Sequence, residues 1–98
     1  MKYRVFNSIK IIEGAIYKNR GNDNSYLKYI QIVKVPPEDN NNSHTVIYKA
    51  FASEANFMAR KPNPNGYTDL SSIARWIREN YAIIVPYNFN ITLINRDR

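Results

Sequence analysis

Apolar and polar side chains alternate along the first part of the chain, a pattern typical of β-strands. Residues 9–18 (IKIIEGAIYK) and residues 26–35 (YLKYIQIVKV) carry apolar side chains on both faces of an extended backbone. The strand at residues 9–18 is therefore expected to be covered on both sides for part of its length. A shorter strand is predicted at residues 3–6. The turn-forming residues 19–25 (NRGNDNS) separate the two long strands, which should pair as a hairpin.

Strict alternation divides the side chains of the second long strand between two faces. One face should carry Leu27, Tyr29, Val33 and Val35. The other face should carry Lys28, Ile30, Ile32 and Lys34. In the first long strand Gly14 interrupts the pattern, and a glycine at such a position often marks a bulge or a close approach of another backbone.

Prolines and polar residues divide the middle of the chain. Pro36 and Pro37 end the second long strand, because proline cannot donate to a strand ladder. A third strand is predicted at residues 45–52 (TVIYKAFA). The residues that follow fit either a tight turn into a fourth strand at residues 56–60 or the start of a short helix, and the turn is preferred.

One amphipathic helix is predicted after the breaker segment 61–66 (KPNPNG). Thr68 is the expected N-cap, and Asp69 places negative charge at the positive end of the helix. The helix should end near Asn80. Apolar side chains recur along it at helical spacing and form one stripe: Leu70, Ile73, Ala74, Ile77 and Tyr81.

Two short strands are predicted after the helix, at residues 82–85 and 89–95, which gives the element order β-β-β-(β)-α-β-β. The expected fold is α+β: residues 1–98 form one small domain with an antiparallel sheet of about five to six strands. The amphipathic helix should pack on one face of this sheet. The other face should be open to solvent or to a partner.

The composition indicates a binding protein rather than an enzyme. The net charge is +6, from 14 basic and 8 acidic residues, which favours an anionic partner. Cysteine is absent and His44 is the single histidine, so neither a zinc site nor histidine-dependent nucleophilic catalysis is expected. No cofactor is expected. A histidine-independent nuclease, in which Arg, Lys and Tyr stabilise the transition state, is the enzymatic alternative.

The residue mix also bears on origin and location. Ile, Asn, Tyr, Lys and Phe, the amino acids with AT-rich codons, make up 46 of the 98 residues. Such a composition is common in proteins of phages, viruses and mobile elements, and equally in any AT-rich genome. The N-terminal residues do not resemble a signal peptide, and no apolar run reaches membrane-span length. A cytoplasmic protein without membrane contact is expected, in the host cytoplasm if the chain is viral.

Basic, aromatic and amide side chains form three groups of candidate contact residues, since such side chains neutralise phosphates and contact bases. The first group lies on the strands and consists of Lys28 and Lys34. Lys49 lies on the third strand. The second lies at the tip of the predicted hairpin and consists of Lys18 and Arg20. The third combines the breaker loop with the polar side of the helix and consists of Arg60, Lys61, Asn63, Asn65, Tyr67, Arg75 and Arg78.

Each group also has an ordinary structural explanation. Lysines at strand ends keep their charged heads in water while their stems cover apolar surface. Loop tips are polar because they are solvated, and Arg75 with Glu79 has the spacing of a surface ion pair on a helix.

Two functions therefore stay open. The first is a small basic, non-enzymatic protein that binds nucleic acid or a nucleoprotein complex. The second is a viral or mobile-element protein that inhibits or modulates a host protein complex by direct contact, as anti-restriction and anti-CRISPR proteins do. Phosphate contacts would make binding strongly salt-dependent, whereas an apolar protein interface would not. Pairing of two copies through exposed edge strands is a further open alternative.

Overall fold

The computed structural model of the protein describes residues 2–21, 27–37 and 44–86. In these ranges the chain forms seven strands and two helices. In chain order they are β1 (Tyr3–Phe6), β2 (Ile9–Ile12), β3 (Ile16–Lys18), β4 (Tyr29–Lys34), β5 (Thr45–Phe51), α1 (Glu54–Met58), β6 (Gly66–Asp69), α2 (Leu70–Glu79) and β7 (Ile83–Val85).

The main sheet has five strands in the order β6-β5-β4-β3-β7, and every neighbouring pair is antiparallel. Strands β1 and β2 form a separate two-stranded antiparallel hairpin. The fold is therefore α+β with an antiparallel sheet and one main helix, as the sequence predicts.

The prediction of one continuous strand over residues 9–18 is wrong. The chain turns at Glu13 and Gly14, where Gly14 has a φ of +90°, a backbone conformation that glycine adopts without a steric penalty. The turn separates β2, which pairs with β1, from β3, which pairs with β4. Of residues 9–18, only β3 pairs with the second long strand, β4, as the predicted hairpin requires.

Tyr17 joins the small hairpin to the main sheet. Its side chain is buried, and its hydroxyl donates to the Lys10 carbonyl at 2.8 Å and accepts the Ile12 N–H at 3.1 Å. Burial raises the pKa of Tyr17 above its ordinary value, so the hydroxyl keeps its proton and donates this bond at neutral pH. The predicted covering on both sides is found for β3 alone, where Tyr17 lies in one buried cluster and Ile16 lies in another.

A bulge in β4 changes the predicted division of its faces. Ile32 pairs with Tyr48, but Lys34 pairs with Ile47, so β4 contains one residue more than β5 over this stretch. Val35 consequently packs in the same buried cluster as Ile32, and Lys34 turns to the opposite side of the sheet. Leu27 also packs against this cluster rather than on the face of Tyr29.

The amphipathic helix is confirmed, with two changes at its ends. Asp69, not Thr68, is the N-cap, and its carboxylate accepts the Ser72 N–H at 3.2 Å. Hydrogen bonds from the side chain and then the backbone of Ser72 lower the pKa of Asp69. Tyr81 lies outside the buried stripe, with a φ of +49° and 69% of its surface exposed, because the helix ends at Glu79. The remaining apolar residues of the stripe are buried: Leu70, Ile73, Ala74 and Ile77.

The segment before this helix differs from prediction. Residues 54–58 form the short helix α1, not a strand, because the Ser53 side chain caps its start by accepting the Asn56 N–H at 3.0 Å. The edge strand β6 was not predicted. Strand β7 confirms the prediction at residues 82–85, and the predicted strand at 89–95 lies outside the described residues.

The two helices lie on opposite sides of the main sheet. The buried stripe of α2 packs in one cluster with Ile30, Ile32 and Val46, and the β1–β2 hairpin contributes Ile11 to it. On the other side, Phe57 of α1 packs against a smaller cluster of Ile16, Tyr29 and Phe51. Since α1 has only five residues, it covers only part of this second face among the residues that the structure describes.

Candidate binding face

The side of the five-stranded sheet opposite α2 is here called the open face. Strand pairing places Ile16, Gln31 and Lys49 side by side across three strands. The neighbouring row consists of Lys18, Tyr29 and Phe51. Because side chains alternate along each strand, both rows project to the same side. The open face thus combines apolar, aromatic and basic side chains.

Three aromatic rings form a fixed cluster on this face. The rings of Phe57 and Tyr29 are stacked, with centroids 3.8 Å apart and planes inclined by 6°. Phe51 meets Phe57 edge-on at 5.2 Å. The Tyr29 hydroxyl donates to the Glu54 carboxylate at 2.8 Å, and burial together with this carboxylate raises the pKa of Tyr29. Tyr29 and Phe51 are buried, so Phe57 is the ring of the cluster that reaches the surface.

A first hollow, the Arg60 hollow, has Phe57 in its lining. Its volume is about 150 Å³. Lys49 and Arg60 supply its positive charge, Gln31 supplies an amide, and Pro62 forms a wall. Arg60 and Lys49 come from different elements, so the folded chain brings together cations that are 11 positions apart in sequence.

A second hollow, the Lys18 hollow, also has Phe57 in its lining and has a volume of about 250 Å³. Lys18 and Glu54 are its charged residues, and Met58 and Pro86 are among its apolar ones. The Lys18 ammonium lies 5.9 Å from the centre of the Tyr29 ring, within the range of a cation–π contact.

A third depression, the β7 groove, continues from both hollows and has a volume of about 570 Å³. It runs between the Glu13–Gly14 turn and β7, and its lining is mainly apolar. It shares Ile16 with the Arg60 hollow and Val85 with the Lys18 hollow. The three depressions therefore adjoin one another on this side of the sheet.

Arg60 occupies a backbone conformation that usually belongs to glycine. It follows Ala59, the C-cap of α1, with a φ of +59°, and the next N–H, that of Lys61, returns to the Asn56 carbonyl at 2.9 Å. This is the left-handed C-terminal cap of a helix, where a side chain is strained. The chain keeps an arginine there, and its side chain lines a hollow beside Lys49.

Replacing Arg60 with glycine should raise the free energy of unfolding by about 0.5–1 kcal/mol, because the strain is relieved by more than the added freedom of the unfolded chain. Denaturation in urea would measure the change. Lys61→Gly is the matched control, since it removes the same charge at an ordinary backbone position, and it should be destabilising. A lower stability for Arg60→Gly than for Lys61→Gly would contradict the strained cap.

Several predicted contact residues lie on or beside the open face. Lys18 and Arg60 line the hollows. Lys34 and Tyr67 lie on the two strands that flank β5, and both pair with Ile47 of β5. The breaker loop carries Lys61, Asn63 and Asn65, all exposed, and the Asn63 N–H donates to the Ala50 carbonyl at 2.8 Å.

Other predicted contact residues lie elsewhere. Arg75 and Arg78 are exposed on α2, on the far side of the sheet from Arg60, so the fold does not unite the breaker loop and the helix in one surface. Arg20 has a structural contact, because its Nε donates to the Tyr81 carbonyl at 2.9 Å just after α2. Lys28 precedes β4, and its N–H donates to the Phe51 carbonyl at 2.8 Å.

The sequence did not indicate the central residue of this face. The predicted strand at residues 56–60 includes Phe57, whereas in the structure the position of Phe57 depends on the helix α1. The spacing of Ser53 and Asn56 is the signal that could have predicted the helix, since a serine can cap the N–H three positions later. Gln31 and Ile16 join the face only through strand pairing, for which no local motif exists.

Features of metal-binding and membrane-spanning proteins are absent from the described residues. In residues 2–21, 27–37 and 44–86, no group of three or more His, Asp or Glu side chains could hold a metal ion. His44 is exposed, and its carbonyl accepts the Leu70 N–H at 3.0 Å. Among the described helices, none has the length and apolar character needed to cross a membrane. Comparisons with protein-family models, curated proteins and solved structures find no match to this chain.

Proposed function

We propose that the protein is a non-enzymatic binding protein that contacts nucleic acid through its open face. The observation that carries the proposal is the placement of Lys18, Lys49 and Arg60 around the surface ring of Phe57. Cations neutralise phosphates, and flat aromatic side chains stack on bases whatever their identity. This combination on a concave surface suits a nucleic-acid chain better than an isolated anion.

The distribution of charge on the face supports the same proposal. Its hollows and groove contain two acidic residues, Glu13 and Glu54, and both already accept hydrogen bonds within the protein. Glu13 accepts the Val35 N–H at 3.1 Å, and Glu54 accepts the Tyr29 hydroxyl. The Arg60 hollow has two cations and no carboxylate in its lining, so phosphate should approach there.

The proposal changes the expected role of the helix arginines. A strand lying on the open face is separated from Arg75 and Arg78 by the sheet and by the body of α2. These two residues then contribute to the overall attraction of a +6 protein for an anionic polymer, without contacting it.

Binding of a labelled single-stranded oligonucleotide, followed by fluorescence anisotropy between 50 and 200 mM salt, tests this function. Three phosphate contacts predict a slope of log affinity against log salt of about −2, so affinity should fall roughly 15–20-fold over this range. Lys49→Gln should reduce the magnitude of the slope by about 0.7, since one phosphate contact is lost. Arg78→Gln removes the same charge from α2 and should leave the slope unchanged.

Two results would overturn the proposal. One is no binding of DNA or RNA, single- or double-stranded, at 50 mM salt. The other is an equal change of slope in Lys49→Gln and Arg78→Gln, which would mean that the open face has no special part in binding.

A partner protein is the second candidate, supported by one observation. Two exposed apolar side chains, Met58 on α1 and Ile83 on β7, lie beside the hollows, and β7 is at the edge of the sheet that the structure describes. Exposed apolar groups next to a groove are typical of protein interfaces. Modulation of a host protein complex would use this surface, and its binding would weaken little between 50 and 200 mM salt.

A further inference from the structure

Phe57 forms a wall shared by two hollows. Phe57 belongs to the lining of both the Arg60 hollow and the Lys18 hollow, and it is the one residue that the two linings share. Its position is fixed by stacking on Tyr29, which covers one face of the ring, and by the edge contact with Phe51. A ligand that fills both hollows would contact Phe57 from each.

The two hollows have similar walls. Each contains Phe57 and a proline, Pro62 in the Arg60 hollow and Pro86 in the Lys18 hollow. Aromatic and proline rings are rigid and apolar, and they offer flat contacts to a planar ligand. Each hollow also has a cation in its lining, so an apolar group and a neighbouring anionic group are accommodated together.

The volumes of the hollows limit what each can hold. At about 150 and 250 Å³, both are smaller than the roughly 300–1,000 Å³ of pockets that enclose drug-sized ligands. A single base is the appropriate size of occupant, and a complete dinucleotide cofactor is not. Two bases of one strand, one in each hollow, would both contact Phe57.

We propose that the open face takes single-stranded nucleic acid, with two consecutive bases in the two hollows that share Phe57. Lys49 and Arg60 then contact the adjoining phosphates. A duplex presents phosphates on its surface but keeps its bases stacked inside, so it would leave both hollows empty. This inference rests on the proposed function and specifies the form of the nucleic acid.

Three ligands of equal length separate the inference from the function on which it rests: a single-stranded oligonucleotide, the corresponding duplex, and an abasic strand with the same number of phosphates. The single strand should bind at least tenfold more tightly than the abasic strand at the same salt concentration, because base stacking is added to phosphate contacts. It should also bind more tightly than the duplex.

Equal binding of the abasic strand or of the duplex would overturn the inference and leave the proposed function standing. No binding of any of the three at 50 mM salt would overturn both.

Variants of Phe57 provide the second measurement. Phe57→Leu keeps apolar cover over Tyr29 but removes the flat ring, and it should abolish the preference for the single strand over the abasic strand. Phe57→Trp keeps a flat ring and should preserve the preference. The fluorescence of the new tryptophan should be quenched by the single strand and not by the abasic strand. Unchanged preference in a folded Phe57→Leu protein would contradict the role of this ring.

Discussion

Replacing Ile32 with alanine should lower the free energy of unfolding by about 2–5 kcal/mol, a large part of the 5–15 kcal/mol expected for a domain of this size. Ile32 has no exposed surface and lies in the cluster between the main sheet and α2. Its backbone also joins β4 to the chain before β3, since it donates to the Ala15 carbonyl at 3.0 Å and accepts the Gly14 N–H at 2.7 Å. Little neighbouring structure can collapse into the cavity that truncation leaves.

Val33→Ala is the control for this prediction. Val33 follows Ile32 in the same strand but is 37% exposed, so its truncation should cost less than about 1 kcal/mol. Urea denaturation followed by circular dichroism measures both variants. Similar losses for Ile32→Ala and Val33→Ala would show that the packing between the sheet and α2 is not as described.

Reversing both charges of the Arg60 hollow, with Lys49→Glu and Arg60→Glu together, should weaken single-strand binding by about 100-fold or more at 50 mM salt. Each charge-assisted hydrogen bond to a phosphate contributes about 1.5–3 kcal/mol, and a tenfold change in affinity corresponds to about 1.4 kcal/mol. Both positions lie at the surface of the open face, so the core should be unaffected.

The pair Arg75→Glu and Arg78→Glu is the matched control, because it changes the net charge of the protein by the same amount. These residues are exposed on α2 on the far side of the sheet, so the loss of affinity should be only a few-fold and should come from long-range attraction alone. Equal losses in the two double variants would mean that affinity depends on net charge and not on the open face.

The regular part of the fold could be predicted from the sequence because it depends on local periodicity. The stripe from Leu70 to Ile77 repeats at helical spacing and is buried as predicted. Strands β1 and β5 and the sheet class also follow from alternation and breakers. The short helix α1 was misread, since five residues give too few turns for a periodic pattern to be visible.

Long-range contacts explain what the sequence could not reveal. The turn at Gly14 is stabilised by bonds to Ile32, which lies 18 positions later. The binding face likewise depends on tertiary structure, because Lys18, Lys49 and Arg60 come from two strands and a helix end. Their basic character could be read from the sequence. Their location on the opposite side of the sheet from Arg75 and Arg78 follows only from the tertiary structure.

The bulge in β4 has a consequence for how the chain tolerates changes of length. Val33 is the additional residue opposite β5, and the alternation on either side of it is the same as if it were missing. A variant with a one-residue deletion at this position would keep Ile32 and Val35 in the core and Lys34 on the open face, in a regular ladder. A one-residue deletion inside the neighbouring β5 would instead reverse the faces of every residue beyond it. The β4–β5 pair therefore tolerates a one-residue change of length in β4 but not in β5.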